Sequence, residues 1–141
     1  MGRLLAIDYG RRRCGLAVTD SLRIVATALA TVPTAQLVAY IKSYIAIEQV
    51  DEIVVGLPRD VHGRESESMR YIRPGIGKLK AELPDMKVTF FDERFTSVLA
   101  HRSMIDCGMK KMQRRDKAAV DQMAATIILN DYLQSKLYND K

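Results

Sequence analysis

Apolar and polar positions along the chain fall into two rhythms. Leu4-Leu5-Ala6-Ile7 is a short apolar run ending in Asp8-Tyr9-Gly10, the pattern of a buried strand. Gly10 to Gly15 encloses three arginines and reads as a hairpin connection, with Gly15-Leu16-Ala17-Val18-Thr19 as the returning strand. Asp20-Ser21 makes a turn, and the stretch from Ile24 to Thr31, rich in Val, Ala and Thr, predicts a third strand. The chain therefore opens as an antiparallel meander.

The period then lengthens. Leu37, Tyr40, Ile41, Tyr44 and Ile45 form one stripe at helical spacing, with Thr34 placed to cap a helix that runs to about Glu48. Glu52-Ile53-Val54-Val55-Gly56 predicts a fourth strand, stopped by Leu57-Pro58. The polar stretch from Arg59 to Ser68 reads as a loop. A helix from about Glu65 to Leu83 follows, with Pro74 and Gly75 counting against its middle. Lys87 to Phe91 predicts a fifth strand. Thr96 or Ser97 caps a helix ending near Cys107-Gly108, where glycine suits the exit. A basic connection, Gly108 to Arg115, leads to a last helix from about Asp116 to Tyr138.

Three hairpin strands followed by helix–strand units make a mixed α/β plan in one domain spanning residues 1–141. Right-handed crossovers set strands four and five parallel to strand one. The C-terminal ends of these three strands then share one sheet edge, where ligands of open α/β sheets gather.

Three carboxylates fall at or near that edge. Asp8 ends strand one before a glycine, which lets a phosphate approach the backbone; an ordinary turn aspartate is the bland alternative. Asp92-Glu93-Arg94-Phe95-Thr96-Ser97 ends strand five. The two acids there could instead serve a helix dipole. Alternation along the strand aims only one of them at the site, and Glu93 is favoured on the family grounds given below. Asp121 sits on the last helix among Ala118, Ala124, Ala125 and Ile128, within or beside the arc that faces the sheet. A carboxylate buried there must be paired, protonated or bound to metal, and an ion pair with Lys117 is the alternative to a ligand role. Three converging carboxylates describe a site for a hard cation, Mg²⁺ or Mn²⁺, able to polarise a phosphate, activate water and steady a leaving oxygen. His62 and His101 read as surface residues.

Composition shifts the choice of partner. The net charge of +5 favours a polyanion, nucleic acid before an acidic membrane surface. Arg11, Arg12 and Arg13 crowd the first hairpin tip; Lys110, Lys111, Arg114 and Arg115 precede the helix of Asp121. Both clusters fit a phosphate backbone crossing the acidic edge, and solvated charged loops are the alternative. Trp is absent and aromatics make up 6% of the chain, so base stacking on an aromatic platform is not expected. Cys14 and Cys107 lack metal-ligand spacing, and no apolar run reaches the ~20 residues of a membrane span. A cytoplasmic protein with reduced cysteines is the expectation.

These residues resemble a known family. Asp8-Tyr9-Gly10, Arg13 and Gly15-Leu16-Ala17-Val18-Thr19-Asp20 look like the opening of the YqgF/RuvX family, Holliday-junction-resolvase-like proteins also described as pre-16S ribosomal RNA nucleases. Val54-Val55-Gly56-Leu57-Pro58 with Gly63 resembles its middle motif, Asp92 to Ser97 its next, and Lys117, Asp121, Ala124-Ala125 and Ile128-Leu129 its last helix. The middle loop departs from the family pattern at Asp60-Val61-His62. The resemblance implies a ribonuclease-H-like fold: a five-stranded mixed sheet, antiparallel meander then parallel strands, flanked by helices. It also implies a nuclease that trims the 5′ end of precursor 16S ribosomal RNA, with Asp8, Glu93 and Asp121 as acidic centre. Arg11, Arg12, Arg13, Arg94 and Lys117 are the candidate backbone clamps. Branched DNA is the second substrate considered, through a homodimer, since symmetric nicking needs two sites. A monomer or weak homodimer is the expected assembly. A third reading is a binding module without turnover, acting in ribosome assembly or transcription. A nucleotide phosphotransferase would need a second domain that this length does not hold.

Overall fold

The computed structural model describes residues 2–57, 67–92 and 117–139. Five strands and three helices lie within them. They are β1 (Arg3–Tyr9), β2 (Arg13–Thr19), β3 (Ala26–Pro33), α1 (Leu37–Ile47, preceded by a 3₁₀ turn at Thr34–Gln36), β4 (Val50–Leu57), α2 (Met69–Glu82), β5 (Lys87–Asp92) and α3 (Lys117–Asn139).

One sheet holds all five strands in the order β3-β2-β1-β4-β5. β1 pairs antiparallel with β2 and parallel with β4; β2–β3 is antiparallel and β4–β5 parallel. The expected plan of a meander followed by parallel strands is thus the one formed. β4 lies inside the sheet and is buried from Glu52 to Leu57, which accounts for its nearly unbroken apolar run.

Alternation along β1 builds two cores. Leu5 and Ile7 join Leu16, Ile41, Ile53, Val55, Ile72, Ile76 and Leu79 on the side covered by α1 and α2. Leu4 and Ala6 face the other way, onto Ala17, Val54, Ala125, Ile128, Leu129 and Tyr132 beneath α3. Each fully buried Leu or Ile contributes about 1.5–3 kcal/mol, so the sheet is held from both faces. On the α3 side the small residues Ala6, Ala17 and Ala125 meet. Little side-chain bulk separates helix from sheet there.

Two local expectations change. Thr34 does not cap α1: its hydroxyl donates to the Gly10 carbonyl at 2.7 Å, and a 3₁₀ turn starts the helix instead. A tertiary acceptor on the neighbouring hairpin outcompetes the local N–H groups. α2 begins at Met69, not near Glu65, and runs unbroken through Pro74 and Gly75. Its buried row, Met69, Ile72, Ile76 and Leu79, supplies enough packing to outweigh the lost backbone bond and helix propensity. The β2–β3 turn is fastened by Asp20, whose Oδ1 accepts the N–H groups of Ile24 and Val25 at 2.8 and 2.9 Å.

Positions 58–66 and 93–116 lie outside the described residues. With them lie the expected helix from Thr96 or Ser97 to Cys107-Gly108, both histidines, and the cluster Lys110, Lys111, Arg114 and Arg115. No helix among the described residues is long and apolar enough to cross a membrane.

Candidate acidic edge

Asp8 is the penultimate residue of β1 and is half-buried. It shares the parity of Leu4 and Ala6, the residues that pack beneath α3. Its partner on β2 is Gly15. On the other side the β1–β4 ladder reaches Ile7–Val55, and one step beyond, level with Asp8, stands Gly56. Asp8 is therefore flanked on both neighbouring strands by residues without side chains. Gly56 in turn pairs with Phe91, and Leu57 with Asp92, so β5 ends at the same edge. The Phe91 ring packs edge-on against Tyr132 of α3, with centroids 5.6 Å apart. The row Asp8–Gly56–Phe91 thus belongs to the α3 face.

The direction of α3 follows from two hydrogen bonds. Near its start, Gln122 Nε2 donates to Thr31 Oγ1 at 3.1 Å. Thr31 pairs with Gly15, and Gly15 with Asp8. Ten residues on, the Tyr132 hydroxyl donates to Glu52, the partner of Leu4 near the opposite end of β1. The helix therefore runs antiparallel to β1, and its first turns lie at the Asp8 end. Position 121 is next to Gln122 and one helical turn before the buried Ala125. For Asp121 and Lys117 the description covers the backbone within α3 and not the side chains. Glu93 and Arg94 lie outside the described residues.

Of the expected basic residues, Arg11 and Arg12 are exposed at the hairpin tip and Arg13 is half-buried at the start of β2. The tip is tied to the sheet by Thr34, whose N–H donates to the Arg12 carbonyl at 3.0 Å while its hydroxyl holds Gly10. An added Cβ at Gly10 would strike the Arg13 carbonyl, so the tight turn behind Asp8 needs glycine. Sequence reasoning missed this bracing role of Thr34, because a threonine before an apolar stripe reads first as a cap. It also missed that Gly15 and Gly56 bracket Asp8, which only the register reveals.

Away from the edge, the one buried carboxylate among the described residues is Glu52, near the start of β4. It accepts hydrogen bonds from Thr89 Oγ1 at 2.6 Å and from the Tyr132 hydroxyl, and Lys87 Nζ stands 3.8 Å off. Burial, together with the bond to Glu52, pushes the Tyr132 phenol up to about 12. This acid lies at the wrong end of the sheet to join Asp8 and serves as an anchor for α3. Beside Asp8, burial and the proximity of Cys14 and Tyr71 raise the Tyr9 phenol above its ordinary value, so it stays protonated at neutral pH.

Among the described residues no three His, Cys, Asp or Glu side chains gather around a common point. The donor chemistry at the edge nevertheless fits a hard cation. Asp8 offers carboxylate oxygen, and the residues level with it on the two neighbouring strands are glycines.

Comparison with known proteins agrees with this geometry. Residues 2–135 match the family described as "RuvX: Holliday junction resolvase". A protein of Phocaeicola vulgatus, named "Putative pre-16S rRNA nuclease", is 54% identical over 138 residues, covering 98% of this chain and 99% of the relative. A protein of the same name from Porphyromonas gingivalis is 52% identical over 135 residues, covering 96% and 98%. Among solved structures, T. thermophilus RuvC in complex with a Holliday junction substrate superposes with a TM-score of 0.61 at 12% identity, covering 96% of this chain and 97% of that one. The likeness to RuvC shows a ribonuclease-H-like fold.

Proposed function

Because the chain belongs to the RuvX family of Holliday junction resolvases, we propose that it hydrolyses phosphodiester bonds in nucleic acid, with Asp8, Glu93 and Asp121 as its acidic centre and the 5′ region of precursor 16S ribosomal RNA as its substrate. The observation that carries this is the register at the sheet edge. It brings the end of β1, the end of β5 and the first turns of α3 to one side of the molecule. Asp92 pairs with Leu57 and Phe91 shares the row of Asp8, and Glu93 is preferred to Asp92 on the family resemblance. Residues 1–141 are read as one domain.

The three carboxylates would hold Mg²⁺ or Mn²⁺. A bound divalent cation would supply charge neutralisation at the scissile phosphate and a water more acidic than in bulk. The chain's own part is to fix the strand. Asp8 is held by its pairing with Gly15 of β2, one step past the last β1–β4 pair, and Arg11, Arg12, Arg13, Arg94 and Lys117 would bear on backbone phosphates around it. Phosphate contacts of this kind make binding fall steeply with salt.

The names of the relatives favour RNA and the family's description favours a DNA junction; paired nicking of a junction would require two copies of the site. The test offers both substrates, a 5′-extended 16S precursor and a four-way DNA junction, with Mn²⁺ or with EDTA. RNA cleavage that needs the cation and disappears in Asp8→Asn and Asp121→Asn is the expected outcome. Activity retained in both variants ends the proposal. A cut junction beside intact RNA moves the substrate to DNA.

A further inference from the structure

The opposite face of the same edge carries a groove. Tyr9 follows Asp8 and, by alternation, belongs to the side covered by α1 and α2. There an open cavity of about 440 Å³ lies between the start of α1 and the middle of α2, lined by Tyr9, Thr34, Arg70, Tyr71, Pro74 and Lys78 among others. A second recess of about 390 Å³ shares Arg70 and Tyr71 and reaches Arg11 at the hairpin tip. The two recesses adjoin at Arg70 and Tyr71, and Tyr9, the neighbour of Asp8, lines the larger.

Three features give this groove a chemistry. Tyr9 and Tyr71 stack with centroids 6.2 Å apart and planes inclined by 30°, so a half-buried aromatic pair lines the recess. The Tyr9 ring can lie that close to α2 only because residue 75 is glycine; a Cβ there would run into its phenol. Around the rings, Arg11, Arg70 and Lys78 are exposed, against one lining carboxylate among the described residues, Glu67. The larger cavity falls in the ~300–1,000 Å³ range of small-ligand sites. An aromatic pair ringed by cations is complementary to one kind of group above others: a nucleobase attached to a phosphate.

We propose that this groove receives an unpaired nucleotide of the bound strand, its base on Tyr9 and Tyr71 and its phosphate on Arg70 and Lys78. The proposal rests on the nucleic-acid reading of the Asp8 edge, and gives that reading a requirement for a single-stranded flank beside the cleavage point. Duplex continuing past the edge would keep its bases stacked on one another and gain nothing from the tyrosines.

The test is fluorescence anisotropy with a labelled seven-residue oligouridylate and, in parallel, its deoxyuridine counterpart, titrated in EDTA with the full chain. Tyr71→Ala and, separately, Lys78→Glu should each weaken binding about tenfold. Lys78 is exposed on the helix surface, so its reversal probes the groove even if Tyr71→Ala unfolds. Loss in both arms assigns the contacts to base and phosphate; loss in the RNA arm alone adds the 2′-hydroxyl. Unchanged affinity in both arms for Lys78→Glu and for folded Tyr71→Ala overturns the proposal. So does photo-crosslinking of 5-iodouracil oligonucleotide that maps away from Tyr9 and Tyr71. A chain that binds through these residues yet never cleaves a precursor would sink the nuclease reading and leave the groove standing. Cleavage with groove variants that bind normally would do the reverse.

Discussion

Gly75 and Gly77 sit two residues apart in α2, and alanine should act oppositely at the two. In a helix interior, replacing glycine by alanine gains about 1 kcal/mol by restricting the unfolded backbone and improving helix propensity. At Gly77 nothing lies within 4 Å of an added Cβ, so Gly77→Ala should show that gain undiminished. At Gly75 the added carbon meets the hydroxyl and ring of Tyr9, and overpacking of this kind costs about 1–3 kcal/mol. Tyr9 has a way out, because the cavity beside it lets the ring swing, so the lower half of that range is expected. Gly75→Ala should therefore be neutral to about 1 kcal/mol destabilising, and the two variants should differ by about 1–2 kcal/mol. Urea unfolding followed by far-ultraviolet circular dichroism reads this directly, provided the slopes agree. A Tyr9→Ala background supplies the control: without the ring, Gly75→Ala should stabilise as much as Gly77→Ala. If Gly75→Ala raises the urea midpoint as far as Gly77→Ala while Tyr9 is present, the close approach of ring and helix is wrong, and with it the shape of the groove.

Other consequences can be checked alongside. Tyr132→Phe removes one of the donors to buried Glu52 and should cost about 1–3 kcal/mol in urea unfolding. The same variant should lose a tyrosinate absorbance step near pH 12 that the wild type shows. Asp20 and Asp51 ionise below the ordinary value of 3.8, Asp20 mainly because the Val25 N–H donates to it and Asp51 mainly because the Gly2 N–H does. A depressed folded-state value stabilises above 3.8 and is lost as pH falls through it, so urea midpoints should drop between pH 6 and pH 3, and drop less in Asp20→Asn. Finally, Mn²⁺ should raise the melting temperature of the wild type and leave that of Asp8→Asn unmoved; an equal rise in both would remove Asp8 from the cation's ligands.

Much of this plan can be read from residue order. Strand-length apolar runs separated by a helical stripe are enough to set β4 and β5 parallel to β1, because crossover handedness leaves few choices. The placement of Asp8 at a sheet edge follows from its position after Leu4 to Ile7. What the order of residues hides is competition between neighbours that meet only on folding. Thr34 has a good local role as a cap and gives it up for Gly10, 24 residues away in sequence. Pro74 counts against the middle of α2, yet the packing of Ile72, Ile76 and Leu79 carries the helix past it. The two tyrosines of the groove were invisible for a third reason. An aromatic content of 6% says nothing about whether Tyr9 and Tyr71, 62 positions apart, end side by side.

The seating of α3 has an implication for how such a chain can vary. Gln122 grips one rim of the sheet and Tyr132 the other, about 15 Å apart along the axis at 1.5 Å per residue. Sliding by one turn, about 5.4 Å, would sever both grips at once. The helix is thus pinned longitudinally by two of its own side chains. Insertions or deletions beyond Arg94 and before α3 should therefore leave position 121 opposite the end of β1.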